Sequence, residues 1–534
     1  MKKRAAALRS LAALAGTATA LTGTAAAVAP AAPVTPAAPG VRDTTRAAPL
    51  TWEKCATKAY PKLQCASLEV PLDHRDPGGR KITIALSRVR HTARTSQGPL
   101  LVNPGGPGGS GLSMAGFVAE SLPAEVAARY DVIGFDPRGV GRSRPALNCR
   151  PGHFTPVRPD SLPATPALEK ANTDRARAFA DACHAKYADV LPFIDTVSTV
   201  RDMDAVRVAL GARRVSFLGY SYGTYLGAMY GRLYPHRVHR MALDSLVDPT
   251  GVWYDVNLRQ NRAFDLRHKA LMAWIARHDG VYGLGRDPAA VEARWYAMRK
   301  DLAARPAGGK VGPAELEDTF LPGGYDNRHW PLLARAFAAH AGRGDARPLV
   351  AAYEDLAASD TEKENGYSVY TAVQCRDALW PRDLGTWRAD HAAIHRTAPF
   401  ATWNNAWFNA PCAFWRTHHL SAPDVSGAKL PPVLLLQATD DAATPYEGAL
   451  AMHRRLPGSR LVVESGGGNH GVTLNGNACL DAHLAAYLAS GRLPRADGRT
   501  ADATCAALPE PEPHGTRTGA RPVSAAGRAA PPPR

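Results

Sequence analysis

The chain has 534 residues, 45% of them hydrophobic and 21% charged, which is typical of a globular protein that can bury a sizeable core. A chain of this length is long for one domain, so we expect a large domain with an insertion, or two domains. The net charge of +16 comes partly from the two ends, and the rest of the chain has no dense run of Lys or Arg. Because proteins that bind nucleic acids concentrate such residues, this distribution argues against a nucleic-acid partner.

The amino-terminal segment has the pattern of an export signal. The basic start MKKRAAALRS precedes the weakly apolar run LAALAGTATALTGTAAAVA, which ends in small residues near Ala25 to Ala29. This arrangement predicts a signal peptide over residues 1–29 and a Pro/Ala-rich pro-segment or spacer over 30–50. No stop-transfer pattern follows, and no cysteine that could carry a lipid precedes Cys55. We therefore expect a secreted, extracellular protein with no stable membrane anchor.

Eight cysteines follow in the exported part of the chain, and they are most simply explained as four disulfides. No C-x-x-C pair occurs, so their spacing does not resemble a metal site. Spacing alone does not determine the connectivity. We predict that neighbours in the chain pair, as Cys55–Cys65, Cys149–Cys183, Cys375–Cys412 and Cys479–Cys505.

A series of short apolar runs predicts a central sheet. Residues 65–90 have the pattern of two strands around a Pro-Gly-Gly turn. Helical stretches such as Thr199–Gly211 separate several of the later runs, and the alternation predicts a mostly parallel sheet covered on both faces, in an α/β protein. We assign residues 51–248 and 429–507 to the two parts of this core. The later runs are GPLLVNPGG, YDVIGFDPRG, RVSFLGYS, VHRMALDSL, PPVLLLQATDD and SRLVVESGG.

The interval 249–428 has no comparable strand and contains amphipathic helical patterns, for example Leu266–His278 and Ala289–Leu302. An insertion of this size predicts a large helical cap over the carboxyl edge of the sheet. From residue 508 the chain turns to Pro, Gly, Ala and Arg, so we predict a disordered tail over 508–534.

One serine lies between a predicted strand and a predicted helix, in Gly219-Tyr-Ser-Tyr-Gly223. A sharp strand-to-helix turn of this kind lifts the serine hydroxyl clear of the sheet, and glycines are needed where neighbouring backbones approach. The pentapeptide alone is a weak signal, but its position between strand and helix strengthens it. It predicts that Ser221 is a nucleophile.

A serine hydroxyl needs a base to remove its proton, and a third group to orient that base. His470 is the histidine that follows a predicted strand in a Gly-rich loop, and Asp440 and Asp441 compete for the acid. We choose His470 as the base and Asp441 as the acid. The task of Asp441 is to hold the imidazole in the right tautomer.

The Gly-rich segment Asn103–Gly111 follows the first buried strand, where a second donor to the developing oxyanion is expected. The predicted donors are the N–H groups of Gly106 and Tyr222, although so Gly-rich a segment could serve only the bend. FDPRGVGRS, from Phe135 to Ser143, reads as a structural turn.

NPGGPGGSG, DVIGFDPRGVGRS, GYSYGTYLGA, DAATPYEGA and NHGV together resemble the secreted tripeptidyl aminopeptidases, a bacterial branch of the α/β-hydrolase fold related to prolyl aminopeptidases. The resemblance runs from about Trp52 to Cys505 and includes the cap segment VYTAVQCRDALWP. It implies that Ser221, Asp441 and His470 form the triad, since the family's Asp-x-x-Thr-Pro pattern selects Asp441 over Asp440. It also implies release of tripeptides from free N-termini of peptides and proteins, without a metal or other cofactor.

An exopeptidase must recognise a protonated amine, which calls for a carboxylate near the cleft. Glu364, Asp377 and Glu447 are the candidates, because they lie in or beside segments that should face it. Three other interpretations remain open: an esterase with the same triad, a single-residue aminopeptidase of the proline type, and an exported binding module on an inactive hydrolase fold. The sequence does not predict an oligomeric state.

Overall fold

The computed structural model describes residues 50–421, 423–426, 429–496 and 500–513, all of which belong to one structural unit. The predicted signal peptide, the predicted spacer up to residue 49 and residues 514–534 of the predicted tail lie outside the described residues.

A single sheet of ten strands runs through the described part of the chain, in the order β1-β2-β3-β5-β4-β6-β7-β8-β9-β10. The first three strands and β5 pair antiparallel, and every pair from β5–β4 to β9–β10 is parallel. The mostly parallel α/β sheet predicted from the sequence is confirmed. The strands are β1 (Glu53–Lys54), β2 (Gln64–Pro71), β3 (Lys81–Val89), β4 (Gly98–Asn103), β5 (Tyr130–Phe135), β6 (Val215–Tyr220), β7 (Val238–Asp244), β8 (Leu434–Ala438), β9 (Arg460–Ser465) and β10 (Ala503–Ala506).

Strands β4 to β9 are the six apolar runs of the sequence. All residues of β6 and β8 are buried, because helices cover both faces of the sheet. The predicted hairpin is the antiparallel pair β2–β3, whose register joins Pro71 to Lys81. Strands β1 and β10 were not predicted, since they are only two and four residues long and mostly not buried.

Helices α1 to α5 and α16 and α17 belong to the parts of the chain that carry the sheet. Helix α4 begins after Asp195, whose carboxylate caps it by accepting from the Ser198 N–H. These helices are α1 (Leu112–Ser121), α2 (Ala124–Ala127), α3 (Pro166–Tyr187), α4 (Thr196–Ala209), α5 (Tyr222–Leu233), α16 (Tyr446–Arg455) and α17 (Ala478–Ser490).

Between β7 and β8 the described residues form helices and contribute no strand to the sheet. Part of this insertion has its own apolar core, in which Trp295 and Trp330 are fully buried. Another part, including Trp380 and Trp387, is continuous with the core beneath the sheet. The helices are α6 (Tyr254–Arg277), α7 (Asp279–Tyr282), α8 (Pro288–Ala304), α9 (Pro313–Phe320), α10 (Pro322–Tyr325), α11 (Trp330–Arg343), α12 (Arg347–Leu356), α13 (Thr361–Asp377), α14 (Leu384–His395) and α15 (Thr402–Asn409).

Four disulfides join the cysteines in sequential order, which is the order expected from the sequence. Cys375–Cys412 ties the end of α13 to the segment after α15. Over the part of the chain that is described, no helix has both the length and the apolar character needed to cross a membrane. The bridges are Cys55–Cys65, Cys149–Cys183, Cys375–Cys412 and Cys479–Cys505.

The start of the segment predicted as a disordered tail has defined contacts. The Trp274 indole N–H donates to Pro511 O at 3.1 Å, and the Tyr282 hydroxyl donates to Pro513 O at 2.9 Å. Arg277 also forms an ion pair with Glu510. Residues 508–513 therefore lie against α6 and α7, because their carbonyl groups satisfy donors at the end of α6 and in α7.

Candidate active site

Ser221 lies at the turn between β6 and α5 in a conformation that few side chains adopt, with φ 56° and ψ −127°. Its N–H donates to Asp244 O at 3.0 Å, which fixes the turn to the neighbouring strand. A Cβ at Gly219 would lie 2.5 Å from Gly223 O, and one at Gly223 would lie 2.9 Å from Asn103 O. The two glycines are therefore required by close backbone approach, and Ser221 is held at the strand end, partly exposed.

The Gly-rich segment after β4 lies directly against this turn, because Asn103 of β4 pairs with Gly219 of β6. A Cβ at Gly105 would lie 2.5 Å from Tyr220 O and 2.8 Å from Ser221 Cβ. Gly105 and Gly106 have φ values of 95° and 113°, which an L side chain rarely adopts. The structure thus brings the backbone of the segment beside Ser221.

Asp136, in the segment FDPRGVGRS, forms hydrogen bonds to the end of the Gly-rich segment. Its carboxylate accepts from Ser110 Oγ at 2.6 Å, from Gly111 N at 3.2 Å and from Arg142 N at 2.7 Å. Asp136 is fully buried and these three bonds are internal, which is what a structural turn requires.

Asp441 and His470 are in direct contact at the carboxyl ends of β8 and β9. His470 Nδ1 lies 2.8 Å from Asp441 Oδ2 and 3.1 Å from Oδ1. Because a carboxylate only accepts, Nδ1 carries a proton and Nε2 is the free base of the neutral ring. Asp440, the competing acid, is exposed, whereas Asp441 is 2% exposed.

Three further donors hold the Asp441 carboxylate. The N–H groups of Ala443 and Thr444 both donate to Oδ1 at 2.9 Å, and the Thr444 hydroxyl donates to Oδ2 at 2.9 Å. Thr444 Oγ1 also lies 3.4 Å from His470 Nδ1. The family's Asp-x-x-Thr-Pro pattern is therefore a compact turn that orients the acid toward the ring.

Tyr325, at the end of α10, covers His470. Its carbonyl accepts from His470 N at 2.8 Å, and its ring meets the imidazole edge to face with centroids 5.5 Å apart. Burial alone would lower the pKa of His470, but the charge of Asp441, the hydrogen bond to it and the charge of Asp244 together raise that pKa above its ordinary 6.5. Among the described residues, His470 Nε2 has no hydrogen-bond partner, so the Ser221 hydroxyl is not bonded to it in this state.

The three acids predicted to recognise an amine have different surroundings. Glu364 Oε1 accepts from Gly152 N at 2.7 Å. Asp377 is 3% exposed and accepts from Thr196 and Trp253, and burial followed by the charge of Asp195 raises its pKa to about 7. Glu447 is exposed in the first turn of α16. The Asp377 carboxylate is therefore buried and hydrogen-bonded to other residues of the protein. Glu447 has the most accessible carboxylate of the three.

Sequence reasoning missed Tyr325, Asp244 and Ser245 as neighbours of the site, and it used Thr444 only as part of the pattern that selects Asp441. Tyr325 comes from the insertion, whose packing no local pattern encodes. Asp244 ends strand β7 and Ser245 follows it, and the rule that parallel strands bring their carboxyl ends to one edge of the sheet could have pointed to them.

One group of potential metal ligands occurs among the described residues, formed by Cys479, His483 and Cys505. Its two cysteines are joined in a disulfide, so they offer no thiolate to a metal.

Comparison with known proteins relates most of the chain to a group of hydrolases. A family described as "TAP-like protein" matches residues 398–505, the part with Asp441 and His470. The tripeptidyl aminopeptidase of Streptomyces lividans is 43% identical over 479 residues, covering 87% of this chain and 88% of that protein. The serine protease Hip1 of Mycobacterium tuberculosis is 32% identical, with 84% and 90% covered. Carboxylesterase B of Mycobacterium tuberculosis is also 32% identical, with 83% and 88% covered.

Proposed function

The chain belongs to the tripeptidyl aminopeptidase family of α/β-hydrolases, and from that premise we propose that it removes tripeptides from free N-termini through an acyl-enzyme on Ser221. It is a serine exopeptidase, and its substrates are peptides and proteins outside the cell. The observation that supports the triad best is the contact of His470 Nδ1 with Asp441 Oδ2, 2.8 Å apart, at the edge of the sheet where Ser221 stands.

The proposed reaction begins with the peptide carbonyl above Ser221. As Oγ attacks the carbonyl carbon, His470 Nε2 takes the hydroxyl proton, and Asp441 stabilises the imidazolium through Nδ1–H. The carbonyl oxygen becomes an oxyanion, and we assign the N–H groups of Gly106 and Tyr222 as its donors. The oxyanion then collapses and the C–N bond breaks as His470 gives its proton to the leaving amine, so that the tripeptide remains as an ester of Ser221. His470 next takes a proton from water as the water attacks this ester, and it returns that proton to Ser221 Oγ as the tripeptide acid leaves.

We expect the distance between Ser221 Oγ and His470 Nε2 to shorten when substrate binds, because His470 Nε2 has no hydrogen-bond partner among the described residues. Hydrogen bonds of catalytic groups are often long before substrate is present and tighten in the complex. The partial exposure of Ser221 leaves its side chain room to turn.

Restriction to N-termini requires a group that binds the ammonium of the substrate. Glu447 is the candidate whose carboxylate remains accessible, whereas Glu364 and Asp377 hydrogen-bond groups within the protein. We expect Glu447→Gln to raise KM for a free tripeptidyl substrate about tenfold, the effect of losing roughly 1.4 kcal/mol of charge pairing, with little change in kcat. Glu125→Gln, which alters an exposed acid in the first turn of α2, is the matched control. An unchanged KM in Glu447→Gln removes Glu447 from the site.

Ester hydrolysis is a second candidate activity, because a relative at 32% identity has the name carboxylesterase B. The triad serves both reactions, since both pass through the same tetrahedral intermediate. A requirement for a free amine distinguishes them.

We also propose that the protein is exported from the cell. The predicted signal peptide over 1–29 and the four disulfides support secretion to an oxidising extracellular space. The protein needs neither a metal nor another cofactor in the proposed reaction.

The test uses a chromogenic tripeptidyl substrate with a free amine, its N-acylated version and a fluorophosphonate that labels activated serines. Wild type should hydrolyse the first, leave the second intact and become labelled. Ser221→Ala should keep its thermal unfolding temperature, fail to label and lose at least a thousandfold in kcat. Equal hydrolysis of free and acylated substrates would exclude recognition of the free amine, and an active Ser221→Ala would exclude Ser221 as nucleophile.

A further inference from the structure

Two consecutive residues at the end of β7, Asp244 and Ser245, lie between the turn of Ser221 and the loop of His470. Both are fully buried, and Ser245 has a φ of 60°. The positive φ turns the chain so that both side chains point to the same loop, and the Ser245 N–H is held by Leu436 O of β8 at 2.9 Å.

These side chains bind three consecutive backbone N–H groups just after His470. Ser245 Oγ accepts from Gly471 N at 2.8 Å. The carboxylate of Asp244 accepts from Val472 N at 2.9 Å through Oδ1 and from Thr473 N at 2.8 Å through Oδ2. Ser245 Oγ donates its own proton to Asp244 Oδ1 at 3.0 Å, so the two residues act as one acceptor unit.

The same pair is bonded to the serine turn. Asp244 O accepts from Ser221 N at 3.0 Å, and this hydrogen bond fixes the turn of Ser221 to strand β7. The Thr473 hydroxyl donates to Asp244 Oδ2 and lies 3.1 Å from the hydroxyl of Tyr220, the residue before the nucleophile. The nucleophile and the base therefore share one structural support, although they are 249 positions apart in the chain.

We propose that Asp244 and Ser245 are positioning residues that set the distance and orientation between Ser221 and His470, and that the Asp244 carboxylate also supports the charged form of the His470 ring. This inference rests on the proposed function, because it assigns a task relative to those two residues. It has a steric part, carried by the backbone bonds, and an electrostatic part, carried by the buried charge.

The electrostatic part follows from which charges face the ring. A buried anion favours the imidazolium that forms when His470 takes the serine proton, and Asp244 adds to Asp441 in raising the pKa of His470. Burial raises the pKa of Asp244 itself to about 6, against the four hydrogen bonds that favour its ionised form. The other ionisable groups that face this region are Asp441 after β8, Tyr325 of α10, Tyr220 of β6, Asp481 of α17 and Arg267 of α6.

Two variants separate the steric part of the proposal from the electrostatic part. Asp244→Asn keeps the size of the side chain but removes the charge and replaces one acceptor by an N–H₂ group that faces backbone donors. Ser245→Ala removes the Gly471 bond without altering a charge. Asp195→Asn is the matched control, because Asp195 is also buried and accepts from a backbone N–H and a hydroxyl of Ser198, at the start of α4.

We expect Asp244→Asn to lower kcat and the rate of fluorophosphonate labelling at least tenfold, with KM within twofold of wild type. The acid limb of its kcat/KM profile should shift to lower pH, because His470 loses an anionic neighbour. Ser245→Ala should lower kcat by a smaller factor with its acid limb unmoved, and Asp195→Asn should behave as wild type.

The inference is overturned if folded Asp244→Asn labels and turns over as wild type, or if it loses rate while its acid limb stays in place, since a structural role alone gives that result. If Asp244→Asn does not fold, Ser245→Ala decides: a folded protein with wild-type kcat overturns the proposal. Ser221→Ala separates the two levels, because activity in that variant contradicts the proposed function itself.

Discussion

At the scale of single residues, the site depends on a serine whose backbone is held where few side chains are stable. Such a conformation costs about 1–3 kcal/mol and persists only where neighbours enforce it. At Ser221 the neighbours are Asp244 O, which binds its N–H, and Gly105, which leaves room for its Cβ. The strain places the hydroxyl and the Tyr222 N–H at the same end of the sheet, where Asp441 and His470 also lie.

The charge environment of His470 predicts the pH dependence. As the proposed base, His470 must be neutral to accept the serine proton, and Asp441 and Asp244 raise its pKa above the ordinary 6.5 despite burial. The value of kcat/KM should therefore rise with pH through an apparent pKa above 6.5 and level off at higher pH. Asp441→Asn should lower kcat at least a hundredfold, and its acid limb should lie at lower pH than that of wild type.

A series of rate measurements at constant ionic strength, with Asp440→Asn as the matched control, checks this. Asp440 is exposed and adjacent in the chain, so its variant should keep both the rate and the limb. A limb that is unchanged in Asp441→Asn, or a rate that falls between pH 6 and 7, contradicts the assigned roles.

At the scale of elements, the contact between the Gly-rich segment and the serine turn determines the geometry of the proposed oxyanion site. Gly105 lies so close to Tyr220 and Ser221 that the two backbones must move together. The segment is held from the other side by Asp136, and by contact of Gly108 with α13, where an added Cβ would lie 2.3 Å from Gly366 O. The Gly-rich segment is therefore a packed support for the site.

Gly105→Ala tests this contact against a matched glycine. Gly98 has a φ of 85°, similar to the 95° of Gly105, but nothing lies within 4 Å of a Cβ there. Both variants should destabilise the fold by about 1–3 kcal/mol from backbone strain. Only Gly105→Ala should also lower kcat at least tenfold, because its methyl group would displace Ser221. Equal kcat values in two folded variants would show that the contact does not control the chemistry.

The elements differ in how well the sequence predicts them. Strands β4 to β9 were predictable because burial on both faces requires continuous apolar runs, as in Leu434–Ala438. Strands β1 and β10 were not, because short strands at the edges of a sheet need no apolar run. Helices in the insertion could be predicted from their period, but not the contact of Tyr325 with His470, which depends on how those helices pack.

At the scale of the whole molecule, segments far apart in the chain are joined at one edge of the sheet. The pairing of Asp441 with His470 was predictable, since both follow buried strands and the family pattern selects the acid. The hydrogen bonds of Asp244 to the loop after His470 and of Thr196 to Asp377 could not be predicted, because both depend on distances between elements. A strand order explains which residues converge, and only coordinates give their hydrogen bonds.

The segment 508–513 connects the last strand of the sheet to the helical insertion, through Glu510, Pro511 and Pro513. Ending the chain at residue 507 removes two buried or partly buried hydrogen bonds and an exposed ion pair. This should lower the free energy of unfolding by about 2 kcal/mol relative to a chain that ends at 513. Thermal unfolding of the two truncated proteins measures the difference. Equal unfolding temperatures would mean that the segment adds nothing to stability.

Mass spectrometry of the products from an unmodified decapeptide and from its N-acetylated form tests the proposed release of tripeptides from free N-termini most directly. We expect wild type to release the first three residues as one tripeptide, then the next three. The acetylated peptide should stay intact, and Ser221→Ala should release nothing. Release of single residues, cleavage within the acetylated peptide, or products formed by Ser221→Ala would contradict this proposal.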